Sequence, residues 1–144
     1  MITDTVERPL TIQGQNVPSN LLGPLRDADR GGDLSAQLAS DGYLLLRGVH
    51  DADAVMAARK EILCRLVEVD EIAEPAEQGI ATGRSKRAEM HPDLGAFWRS
   101  VSEGPAVRAV INGPRITAAM TELFGEPAAH FSFAWLRAMT AGRA

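Results

Sequence analysis

The sequence predicts an α+β fold in which a layer of helices supports two strands. Three observations carry this. Val55, Ala58, Ile62, Leu66 and Val69 recur at spacings of three and four, which places them on one face of a helix over about 53–69. Tyr43-Leu44-Leu45-Leu46-Arg47-Gly48-Val49 is a short apolar run between chain breakers, the mark of a strand covered on both faces. Residues 129–139 alternate with a period of two, which argues for a second strand. Phe131, Phe133, Trp135, Arg137 and Met139 share one of its faces, and His130, Ser132, Ala134, Leu136 and Ala138 share the other.

The elements follow in order from the N-terminus. Residues 1–32 are rich in Pro, Gly, Asn and Asp without a sustained period, and read as an extended arm with one turn of helix near Leu21–Arg26. Gly31-Gly32-Asp33 marks the start of the domain proper, 33–144. Asp33 caps a short helix carrying Leu34 and Leu38, and Gly42 suits the left-handed position that ends it. After the 43–49 strand, Asp51 or Asp53 caps the long helix, where a carboxylate also favours the positive end of the dipole. Arg59, Lys60, Arg65 and Glu68 take the outer face, and Cys64 reads as a small buried side chain within the apolar pattern.

Residues 70–90 lose that periodicity and read as a long exposed connection, a segment of the kind that serves as a lid or stays solvated. Arg84, Lys86 and Arg87 form its dense basic patch, which reads as a solvated loop. Three short helices come next. Pro92 opens one carrying Leu94, Phe97, Trp98 and Val101. Pro105 opens a second carrying Val107, Val110 and Ile111, closed by Gly113. Pro114 opens a third carrying Ile116, Ala119, Met120 and Leu123, closed by Gly125. Proline at the first helical position and glycine just past the last is the expected asymmetry.

Composition narrows the class. Apolar residues make up 45% and charged residues 24%, ordinary for a globular domain and too apolar for a disordered chain. A net charge of −4 argues against nucleic acid as a partner, because neutralising phosphates needs clustered Lys and Arg. The opening ten residues lack a basic region followed by an apolar one, and no apolar stretch reaches membrane-spanning length, so no membrane association is expected. A single cysteine precludes an intrachain disulfide and fits a reducing compartment, so the expected location is cytoplasmic.

Chemistry-bearing motifs are sparse. The sequence has no phosphate loop, no Gly-x-Ser-x-Gly elbow and no paired-cysteine zinc pattern. One His-x-Asp occurs, at His91-Pro92-Asp93, and His130 and His50 are the remaining histidines. His91 and Asp93 stand immediately before a helix, where Asp93 makes a cap and His91 a surface residue. No catalytic or metal-binding residue is therefore expected in this chain.

The succession of segments is informative. A short helix leads into Asp41-Gly42-Tyr43-Leu44-Leu45-Leu46-Arg47-Gly48-Val49, then Asp53 and a long amphipathic helix. Later Thr121-Glu122-Leu123-Phe124-Gly125 precedes Phe131-Ser132-Phe133-Ala134-Trp135-Leu136-Arg137. This order resembles the N-terminal portion of phytanoyl-CoA dioxygenase-like proteins, a family of iron(II)- and 2-oxoglutarate-dependent oxygenases, over about residues 34–144. The resemblance implies a double-stranded β-helix of the jelly-roll, cupin-like kind, with this chain supplying the helical layer and first strands and stopping before the metal-binding strands. It implies iron(II) and 2-oxoglutarate as cofactors of the full-length protein, held by a His-x-Asp…His triad beyond this chain, and a small-molecule substrate. Phe133, Trp135 and Arg137 would then either line the substrate or cosubstrate pocket or form core between sheets. The alternative is a small, complete, non-catalytic α+β domain that binds a partner through the 70–90 segment or the aromatic strand. A strand of this composition at a sheet edge is also a template for self-association through 129–139.

Overall fold

The computed structural model describes residues 11–17 and 23–138. Within them the fold is α+β, with six α-helices and one small antiparallel sheet. That sheet is not made of the two expected strands. It is a hairpin of β1 (Thr11–Ile12) and β2 (Gln15–Asn16), with Ile12 opposite Gln15. Gln13 and Gly14 both take positive φ, 50° and 78°, as a two-residue hairpin turn of the matching twist requires.

Helix α1 (Leu34–Asp41) starts where Asp33 accepts from the Ala36 amide, and ends where Gly42, at φ 75°, donates to the Leu38 carbonyl. The apolar run that follows is not a strand. Tyr43, Leu44, Leu45 and Leu46 are half-buried, but only Leu45 makes a ladder contact, a parallel bridge to Asp27 with the Ala28 amide donating to its carbonyl at 3.0 Å. Leu46 shares a small cleft with Leu34 and Ala118, so this run is covered by helices rather than by neighbouring strands. Residues 26–30 lie along it instead of forming a separate arm. Arg26 pairs with Asp41 at 2.5 Å, Arg47 pairs with Asp27 at 2.7 Å, and the Tyr43 hydroxyl accepts from the Arg26 amide. The Arg26 guanidinium holds the Asp41 carboxyl below the usual carboxylate range. Leu21 and Leu22, a third of the expected helical turn, lie outside the described residues, and 23–26 are not helical.

Helix α2 (Ala52–Glu68) is the long amphipathic element, capped by Asp51 through the Ala54 amide. Ala58 and Leu66 are buried and Val69, just past the helix, is fully buried, whereas Val55 in the first turn is exposed. Cys64 is exposed, not buried: it stands two residues from both Ile62 and Leu66, which at 100° per residue turns it away from the face they share. Helices α3 (Arg87–Met90), α4 (Leu94–Ser102), α5 (Pro105–Ile111) and α6 (Pro114–Phe124) complete the layer. Asp93 caps α4 through the Ala96 amide. α2 packs chiefly on α5 and also against α4, and α1 packs on α6. The tightest part of the core is Val69, Phe97 and Val101, with Ile62, Trp98 and Leu136 packed around it.

Helix α5 has no cap from its own sequence. Gly104 stands at its N-cap without a side chain, and Glu61 of α2 takes over, its Oε2 accepting from the Ala106 amide at 2.8 Å. One carboxylate thereby satisfies an orphan donor and joins the two helices that pack most extensively.

The segment between α2 and α3 is tied down more closely than its composition predicts. A short 3₁₀ turn, Ala76–Gln78, stands at its tip. On either side Ala73 donates to Ile80, Thr82 donates to Glu71, and Ile72 and Ala81 form an antiparallel bridge. Ile72 and Val69 are buried beneath it. The basic trio is likewise not simply solvated. Arg84 grips Asp70 with two hydrogen bonds, of 2.9 and 3.0 Å, and so holds the Asp70 carboxyl below the ordinary range. Lys86 adds a longer contact to the same carboxylate. Arg87 pairs with Glu71, both mostly shielded, and lays its guanidinium 4.4 Å from the Trp98 ring. From the outer face of α2, Arg59 donates to the Glu77 carbonyl and Lys60 pairs with Glu77.

Candidate functional site

The C-terminal run does not form the expected strand among its described residues. Residues 127–138 form no regular secondary structure, with a bend at Ser132, and Met139 lies outside the described residues. The run is pinned to the helices at a few points. The Ala128 amide donates to the Thr121 hydroxyl, His130 Nε2 is 2.8 Å from the Thr117 hydroxyl, and Arg108 donates to the Ser132 carbonyl at 2.7 Å. Leu136 then reaches the Val69–Phe97–Val101 core.

The alternation read from the sequence holds only over 133–136, since His130, Ser132 and Ala138 are exposed and Leu136, Arg137 and Ala138 all line one cleft. Ala134 and Leu136 turn inward and are half-buried. Phe131, Phe133 and Trp135 turn outward and are 79%, 64% and 79% exposed. Three large rings on one side of an unpaired segment form an apolar surface of the kind that marks interaction sites. Of the three residues singled out for a pocket, Phe133 and Trp135 stand on this outer surface, and Arg137 lines a cleft.

That cleft, of about 660 Å³, lies between α2, the 71–87 segment and residues 136–138. Ile62, Leu63, Leu66, Ile72 and Leu136 supply its apolar lining. Glu71, Arg84, Ser85, Arg87 and Arg137 supply its polar lining. Ser85 donates to Glu71 at 2.6 Å, so Glu71 accepts from both Ser85 and Arg87. Arg87 keeps one nitrogen, Nε, buried and without an acceptor among the described residues. Composition signalled the arginines, but it did not signal that the 71–87 segment would fold back to make one wall of a cleft.

The residues that mimic a metal triad are engaged separately. The His91 ring packs at 4.7 Å on Phe97, Asp93 caps α4, and His130 bonds Thr117 on α6. Among the described residues no three His, Cys, Asp or Glu side chains converge on a point that would hold a metal ion. The described residues therefore offer no donor set that fits an iron(II) centre. No described helix is long and apolar enough to cross a membrane. Comparison with protein families, curated proteins and solved structures gives no match.

Proposed function

We propose that this chain is the helical layer of an iron(II)- and 2-oxoglutarate-dependent oxygenase similar to phytanoyl-CoA dioxygenases, with 129–138 serving as a strand of its jelly roll. The observation that carries the reading is the outward aromatic face: Phe131, Phe133 and Trp135 stand exposed on a segment without a ladder partner among the described residues. Pairing with a sheet would satisfy its backbone groups and cover the rings in one step. The order of α1, the 43–49 run, α2 and the aromatic segment supports the same reading.

In this arrangement the metal and the cosubstrate are held by residues outside this chain, and the small-molecule substrate binds beside them. The chain's own contribution is positional. α5 and α6 hold the strand through Arg108 and Thr117, and Leu136 fixes its register by reaching the core. The test is turnover by the whole product of the gene. With iron(II), 2-oxoglutarate and air it is expected to release succinate, while residues 1–144 alone release none. A whole product that forms no succinate above an iron-free control contradicts the reading.

One observation favours a second reading, a non-catalytic interaction domain. Val69, Phe97 and Val101 are closed off within the helical unit, so the aromatic face is free to meet a separate partner. That reading expects no turnover from any form of the protein.

A further inference from the structure

We propose that the cleft between α2, the 71–87 segment and residues 136–138 binds a small organic anion with an apolar body, and that Arg137 pairs with its charge. This site lies on the helical layer and does not depend on the oxygenase reading. At about 660 Å³ the cleft is within the roughly 300–1,000 Å³ typical of small-molecule sites. Its lining has the composition such sites use, an apolar surface from Ile62, Leu66, Ile72 and Leu136 with a few polar groups at fixed places.

The charges select the ligand. Three guanidinium groups line the cleft, and two of them are already neutralised, Arg84 by Asp70 and Arg87 by Glu71. Arg137 is exposed and has no hydrogen bond or ion pair to any described residue. Lys86 also reaches Asp70, so the cations around the cleft outnumber their carboxylates, and Arg137 is the guanidinium left open to a negative charge on the ligand. A guanidinium offers a planar fork of donors that a carboxylate, sulfonate or phosphate ester meets with two parallel hydrogen bonds.

The probe is octanoate, titrated calorimetrically into the 144-residue chain, with neutral octanol as the control of equal apolar length. Octanoate is expected to saturate one site, to bind about tenfold or more tighter than octanol, and to weaken at high salt. Arg137→Gln is expected to cut octanoate affinity about tenfold, roughly 1.4 kcal/mol, and to leave octanol binding unchanged. Because Arg137 is exposed, the variant folds as the parent does, and circular dichroism verifies this. Amide shifts at Gly83 and Ser85 locate the ligand in this cleft rather than on the Phe131–Trp135 surface. Absence of saturable octanoate binding overturns the proposal, as does equal affinity for octanoate and octanol, an unaltered affinity in Arg137→Gln, or shifts confined to the aromatic surface.

Discussion

Leu66→Ala is expected to lower the stability of this protein by about 2–5 kcal/mol, the usual cost of truncating a buried leucine. Leu66 is 4% exposed on the inner face of α2, adjoining the cleft beneath the 71–87 segment. Its carbonyl also accepts from the amides of Glu71 and Ile72, so the helix end and the return of the chain meet at this residue. Removing the side chain leaves a cavity that the rigid helix backbone cannot close, and the transfer and cavity costs add. Arg59→Ala, one heptad before Leu66, is expected to cost well under about 1 kcal/mol, because Arg59 is exposed and loses a single bond to the Glu77 carbonyl. Urea denaturation of both variants makes the comparison. Equal midpoints would contradict the burial of Leu66.

Gly104→Ala is expected to destabilise by about 1–3 kcal/mol, although glycine to alanine at a helix start is ordinarily mild. A Cβ on residue 104 would stand 1.4 Å from Glu61 Oε1 and 3.1 Å from the Val101 carbonyl oxygen. The φ of Gly104 is −56°, so the objection is steric and not conformational. The Glu61 carboxylate must swing away, and the Ala106 amide then loses its acceptor. This makes a coupling prediction. In a Glu61→Ala background the obstruction is gone and so is the cap, so Gly104→Ala should cost much less than in the parent chain. A double-mutant cycle on thermal or chemical unfolding measures the difference, and additive effects would show that Glu61 is not the cap of α5.

The sequence was legible where structure is decided by neighbours along the chain. Asp33, Asp51 and Asp93 each cap the helix they precede, Gly42 and Gly125 end helices in the left-handed conformation, and Pro105 and Pro114 open α5 and α6. It was less legible where the decision is made by distant residues. The leucines at 44–46 do mark burial, but burial against helices rather than in a sheet, and an apolar run alone does not distinguish the two. The cap of α5 comes from Glu61, 45 residues upstream, and nothing local announces it. Arg87 belongs to a charged, glycine-containing stretch that looks solvated, yet Glu71 and Trp98 enclose it from two other segments. The β1–β2 hairpin escaped notice because Gln13-Gly14 lacks the Asn-Gly or Asp-Gly signal and its strands are two residues each. Of the candidate site, alternation put Phe133, Trp135 and Arg137 on one face and the resemblance alone suggested a pocket there, whereas the cleft needed the fold-back of 71–87 to exist.

On the proposed reading, the helical layer carries an aromatic segment, 129–138, that pairs with a sheet outside the described residues. The most direct measurement compares the full chain with one ending at residue 127, by light scattering and thermal melting. The full chain is expected to self-associate through its unpaired edge and exposed rings. The shortened chain is expected to scatter less and still melt cooperatively, at a somewhat lower temperature because the half-buried contact of Leu136 is lost. A monodisperse, cooperatively melting full chain beside an unfolded shortened one would contradict the claim, since the aromatic segment would then belong to the core of the domain itself.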